Sequence, residues 1–198
     1  MEKRGLNPEV ITRAAVELLD EVGLAELSTR RLAAKLEVRS PTLYWHVRSK
    51  ADLLDLVAEA ICADAFDIDG SAPWRDQLAA GLRQFRALVL AHRDAAQLLR
   101  ERPPGPHRLK HIETTVRILL TAGFSPDDAA GISRLLSAHV LDSVPATRPS
   151  PPGPTLTAMA DYPNLARLAP AFARLSDTAL FNLGTEIILD GLERRLAH

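Results

Sequence analysis

Apolar residues along this 198-residue chain recur at three, four and seven places, not alternately, and the pattern predicts one helix after another. Val10, Ile11, Ala14, Ala15, Leu18, Leu19 and Val22 make one apolar stripe, opened by Asn7 and Pro8 and closed by Gly23. A short second helix follows, capped by Ser28 or Thr29, with Leu32, Ala33 and Leu36 inward. Residues 37–39 form a turn. Ser40 reads as the next N-cap and Pro41 as the first residue of a third helix carrying residues 42–47. Ser49 caps a long fourth helix expected to reach Phe66, apolar along Leu53, Leu54, Leu56, Val57, Ala60 and Ile61.

Beyond the turn at 67–73, the spacing predicts helices over 74–91, 93–100, 107–122 and 126–142, then a short one over 165–173 capped by Asn164 and a last one over 177–196. Residues 101–106, ERPPGP, form a loop, because three prolines in four residues remove donors and force extended backbone. Residues 145–154 hold five prolines in ten and read as a mobile surface loop. The last helix carries Leu180, Leu183, Gly184, Ile187, Ile188, Gly191 and Leu192 on one wide face. That is too apolar for a terminal helix covered by one neighbour, and it predicts an association surface.

Composition narrows the class. With 46% hydrophobic residues the chain buries a real core. No run of about 18 apolar residues predicts a membrane span, and the N-terminus lacks a signal-peptide pattern, so a cytoplasmic protein with no membrane partner is expected. Cys62 stands alone, which excludes an internal disulfide and a cysteine-based zinc cluster, and it reads as packing. β-branched alternation is absent, so the class is all-α.

Charge is uneven. Between Ser28 and Lys50 lie Arg30, Arg31, Lys35, Arg39, Arg48 and Lys50 against Glu37 alone, a net of +5 in a chain whose total is −1. Two short helices joined by a tight turn and carrying that charge are the helix-turn-helix plan, whose second helix enters the major groove of double-stranded DNA. Tyr44, Trp45 and His46 put three polar-tipped rings in one turn where a core would use Leu or Ile.

The segment RRLAAKLEVRSPTLYWHVRSKADLL, with VITRAAVELLDEVGLAELSTR before it, resembles the TetR family of one-component repressors. WRDQL, FRALVLAHRD and LGTEIILDGLERRL extend the resemblance over nearly the whole chain, most weakly from about Ser143 to Pro170. It implies an all-α homodimer of about nine to ten helices per chain. A three-helix DNA-binding domain (1–48) is joined by a long helix to a ligand-binding and dimerisation domain (49–198). The family carries Gly where this chain has Glu37. By the resemblance Pro41, Thr42, Tyr44, Trp45 and His46 lie in or beside the groove, flanked by Thr29, Arg30 and Lys50. Arg39 and Ser40 depart from the family's best-matching members, so the inverted-repeat operator should differ.

The resemblance also implies an effector pocket. Phe85, Arg102 and Pro103 match pocket residues, with Leu82, Ile112, Val116 and His139 as walls and Arg102 as the one strong donor. Phe66, Gly81, Leu99 and Thr115 stand where relatives that take a magnesium–tetracycline complex carry polar or metal-contacting side chains. Three of those four have no ligating group, so a mostly apolar small molecule is expected, with no cofactor and no bound metal. The dimer is expected to pair the helices at 126–142 and 177–196, using Leu180, Gly184, Ile187, Ile188 and Gly191.

Other motifs carry less. His92, Arg93 and Asp94 spell the HRD of a kinase loop, but no glycine-rich loop or DFG accompanies them, and they read as a helix boundary. His107 and His111 share a helix face and read as exposed histidines, with a metal sensor as the alternative. No nucleophile–base or paired-carboxylate arrangement supports an enzyme. A ligand-released repressor leads, ahead of a helix-turn-helix regulator with no small-molecule ligand.

Overall fold

Asn7, Ser28, Ser49, Ser125 and Ser176 each accept a hydrogen bond from a backbone N–H three residues on, so these helix starts are set by their own cap side chains. The computed structural model describes residues 6–145 and 162–197, and every regular element among them is helical. In order these are α1 (Pro8–Val22), α2 (Thr29–Lys35), α3 (Ser40–Tyr44), α4 (Lys50–Ile61), α5 (Trp74–Leu90), α6 (Ala95–Glu101), α7 (Pro106–Ala122), α8 (Pro126–Asp142), α9 (Pro163–Phe172) and α10 (Asp177–Leu196). No helix among the described residues is long and apolar enough to cross a membrane. The proline-rich loop expected at 145–154 lies, beyond Pro145, outside the described residues.

Several boundaries differ from the sequence reading, each for a physical reason. Arg39, not Ser40, is the N-cap of α3, which has no side-chain cap and ends at Tyr44. Glu37 adopts φ 54, the left-handed turn that costs a non-glycine residue roughly 1 kcal/mol, and the N–H groups of Glu37 and Val38 close the turn on Ala34 and Ala33. Helix α4 stops at Ile61, five residues early. Further on, Gln84 takes both backbone groups of Asp67, accepting from its N–H at 2.7 Å and donating to its carbonyl at 2.5 Å, so Asp67 is bonded outside any helix. Helix α6 starts only at Ala95, because Asp94 sits at φ 57 with its carboxylate accepting the N–H of Leu24 at 2.9 Å instead of capping its own helix. Pro163 takes the first helical position of α9, so that helix starts before Asn164.

Two cores result. The first joins α1 to α4 with α6, through Ile11, Leu19, Leu27, Leu32, Leu43, Val57, Leu98 and Leu99 among others. The second joins α5, α7, α8 and α10, through Leu82, Leu119, Leu136, Val140, Phe181 and Leu189. Phe85 packs against both. Helix α4 belongs to the first core yet also contacts α7, so it runs from the basic segment to the second core. Helix α9 buries none of its residues, and Leu165, Leu168 and Phe172 stand exposed on it.

Candidate DNA-reading surface and ligand cavity

The basic segment is built on two anchors. Leu43 and Val47 are each 2% exposed and pin α3 and the turn after it to the first core. Four residues apart, they leave the positions around them facing solvent. Arg39, Ser40, Pro41, Thr42, Tyr44, Trp45, His46 and Lys50 are all exposed, as is Arg30, while Thr29 at the start of α2 is half-buried. Trp45 is 85% exposed, an indole in water with no packing role in the monomer.

The six cations divide into two groups. Arg31 pairs with Glu26, and Lys35 sits 2.6 Å from Glu21 and 3.3 Å from Glu17 on α1, its pKa raised chiefly by the hydrogen bond to Glu21. These two brace the three-helix unit. Arg30, Arg39, Arg48 and Lys50 form no ion pair among the described residues. At the start of α4, Asp52 accepts from Ser49 Oγ at 2.8 Å and from Arg48 N–H at 3.1 Å, and these bonds, the hydroxyl's first, lower its pKa.

Helix α4 is tied to the later helices at three points. Asp55 receives Arg102 through two hydrogen bonds of 2.7 and 2.8 Å. Glu59 accepts the N–H of His107 at 2.9 Å, supplying the carboxylate that the glycine-capped α7 lacks. At the end of α4, the Cys62 carbonyl accepts from His111 Nε2 at 2.9 Å. The His92–Arg93–Asp94 tripeptide forms a fourth joint, outside α4. His92 lies 3.0 Å from Asp20, Arg93 donates to Asp20 and to the Glu21 carbonyl, and Asp94 receives the Leu24 N–H. The motif is a clasp on the end of α1.

Behind α4 lies a cavity of about 50 Å³ lined from α5, α7, α8 and the segment after α4. Of the expected pocket residues, Phe66, Gly81, Leu82, Phe85, Ile112 and Thr115 line it. The others lie elsewhere. Leu99 is in the first core, Arg102 is held by Asp55, Pro103 is exposed and Val116 is half-buried off the cavity. His139 stacks on Phe181 at 5.2 Å between α8 and α10, with Nε2 3.0 Å from Thr185 Oγ1. The charged residue at the cavity is Arg108 instead of Arg102, and Gln77, Ser133 and Ser137 add polar atoms. Arg108, His111 and Ile118 share one face of α7 with the expected Ile112 and Thr115, so helical spacing from those two is the signal in the sequence for the other three.

His111 corrects the reading of an exposed histidine. It is half-buried and stacked on Phe66 with ring centroids 3.8 Å apart. The early end of α4 is what brings Phe66 there. Phe66 in turn lies 6.3 Å from Phe85. Cys62 is buried, and desolvation raises its thiol pKa to about 11, which makes it inert packing. Among the described residues no three His, Cys, Asp or Glu side chains cluster as metal ligands.

On α10, Leu180, Leu183 and Ile187 are half or more exposed, and Gly191 faces open space. Ile188 is partly packed on the second core. The close approach that Gly184 permits is made within the chain, because a Cβ there would stand 2.5 Å from His139 Cε1.

Residues 11–57 match the description "Bacterial regulatory proteins, tetR family", and residues 68–196 match "Tetracyclin repressor-like, C-terminal domain". The chain is 35% identical to the class A tetracycline repressor protein from transposon 1721 of Escherichia coli, over 96% of this chain and 92% of that one. Streptomyces coelicolor ActR, solved with actinorhodin, superposes with a TM-score of 0.83 at 30% identity, covering 98% of this chain and 99% of that one. TetR of class A, solved with 5a,6-anhydrotetracycline and magnesium, superposes with a TM-score of 0.70 at 31% identity over 96% of this chain and 99% of that one. An exposed helix-turn-helix, a helical regulatory core and these matches lead to one conclusion: the chain belongs to the TetR family of ligand-responsive transcriptional repressors.

Proposed function

We propose that this chain is a homodimeric repressor that reads an inverted-repeat operator with residues 1–48 and is released when a small, mostly apolar effector enters the cavity of residues 49–198. The observation that carries this reading is the Phe66–His111 pair. Its rings wall the cavity, and His111 also holds the carbonyl of Cys62, the residue that caps the end of α4. A cavity of about 50 Å³ holds one or two waters, whereas drug-sized ligands occupy roughly 300–1,000 Å³. An effector therefore has to displace cavity walls, and Phe66 with His111 is the wall attached to α4. Moving α4 changes the separation of the two reading heads, by as much as the effector's differential affinity for the two states allows.

In this reading Thr29, Tyr44 and Lys50 hold phosphates, and Arg30 reads guanine through its bidentate fork. Exposed Leu180, Leu183 and Ile187 on α10 and Leu135 on α8 are covered by the second copy, which a two-fold operator requires. The magnesium of the tetracycline relatives does not fit, because no carboxylate lines the cavity and its one imidazole, His111, is bonded to the Cys62 carbonyl.

The test is fluorescence anisotropy on an inverted-repeat duplex selected from a random pool, titrated with a panel of planar apolar compounds. Phe66→Ala should keep the operator affinity and lose most of the compound-dependent release. Unchanged release would sever the proposed coupling. Calorimetry with tetracycline and magnesium tests the metal-free part: micromolar binding that vanishes on chelation would overturn it.

A further inference from the structure

The cavity walls are mostly Leu, Ile and Phe, and Arg108 is the charged residue among them. A cation in that place needs a reason. It stands in the first turn of α7, where the helix dipole disfavours positive charge, and it is half-buried, so desolvation lowers its pKa from the ordinary value. Part of the reason is local. Nη1 donates to the carbonyls of Leu99 and Arg102 at the end of α6.

That role leaves Nε and Nη2 without a hydrogen-bond partner among the described residues, and Arg108 has no carboxylate partner there. Its neighbours differ: Arg102 has Asp55, and Arg100 has Asp142. A guanidinium stays charged at any ordinary pH. Set half-buried at an apolar cavity, it is matched by an anion that brings its own hydrophobic body.

From this we infer that the effector is an aromatic anion, its carboxylate, sulfonate or phenolate received by Arg108 and its ring system seated against Phe66 and Phe85. The inference rests on the effector-pocket reading above and adds the ligand's charge to it.

Two fluorescent probes separate these statements. Anilinonaphthalene sulfonate and N-phenylnaphthylamine share one aromatic framework, with and without an anion. Each is titrated into the full-length protein, its Arg108→Gln and Arg108→Lys variants, and Thr115→Phe, which fills the cavity. Wild type should bind the sulfonate about tenfold or more tightly than the neutral probe, with both lost in Thr115→Phe. Arg108→Gln keeps a donor for the Leu99 carbonyl. It should lose the preference while holding the neutral probe, and Arg108→Lys should retain part of it.

Equal binding of the two probes by wild type, or an undiminished preference in Arg108→Gln, overturns the inference and leaves the pocket standing. Binding of both probes unaltered by Thr115→Phe overturns the pocket reading and this inference with it. Circular dichroism checks each variant's fold. If Arg108→Gln fails to fold, the wild-type ratio and the Arg108→Lys variant decide the outcome.

Discussion

Gly105→Ala should destabilise the protein through a residue on another helix. Gly105 has φ −90 and ψ −172, backbone that alanine adopts freely, so the substitution is not strained in itself. A Cβ there would lie 2.5 Å from Glu59 Cδ and 2.9 Å from Cγ, and the Glu59 side chain has to swing off the start of α7. That breaks the 2.9 Å hydrogen bond from His107 N–H to a carboxylate. Such a bond contributes about 1.5–3 kcal/mol, and removing the charge from the helix N-terminus costs about 0.3–1 kcal/mol more. Half-burial of Glu59 places the loss near the lower end. Against it, alanine reduces the entropy of the unfolded chain by about 0.4–1 kcal/mol. The net expectation is a loss of about 1–2 kcal/mol. In a Glu59→Ala background the clash and the bond are both gone, so the same substitution should be neutral or stabilising. Urea unfolding at one fixed protein concentration measures the four corners of this cycle. Equal effects in both backgrounds, or a Gly105→Ala protein as stable as wild type, would refute the reasoning.

Three further outcomes follow from the charges and faces. Lys50→Ala should lower the slope of log affinity against log salt on operator DNA by about one, whereas Lys35→Ala, tied to Glu17 and Glu21, should leave it unchanged; equal slopes for both variants would contradict the division of the basic segment. Ile187→Arg, at a position 62% exposed, should yield monomers in sedimentation, and an intact dimer would put the interface elsewhere. Asp52 has a lowered folded-state pKa, set first by the Ser49 hydroxyl and then by the Arg48 N–H. Its contribution is therefore present above the ordinary carboxylate range and lost as pH falls through the lowered value. Ser49→Ala should move the acid-unfolding midpoint seen by circular dichroism to higher pH, and an unmoved midpoint would count against that cap.

Much of the fold was legible because its signals are local. A cap such as Ser28, Ser125 or Ser176 bonds an N–H three residues away, and an apolar stripe repeats within two turns, so both can be read without a partner helix. The residues around α3 were placed by the resemblance instead, and the structure adds that Leu43 and Val47, four apart, are the buried pair that leaves them exposed. Family resemblance added the number of helices, about nine to ten, and the described residues hold ten.

What the tertiary structure decided were the pairings between distant residues. The segment after α4 is held by Gln84, 17 residues beyond Asp67, which bonds both backbone groups of Asp67. Whether Arg102 or Arg108 faces the cavity depends on Asp55, which takes Arg102 away. Gly184 reads in the sequence as room for a second chain, and in the folded chain that room is filled by His139. Helical periodicity states that a residue faces inward but not which neighbour it meets. That choice belongs to contacts whose partners are far apart along the chain, and it exists only once the helices have packed.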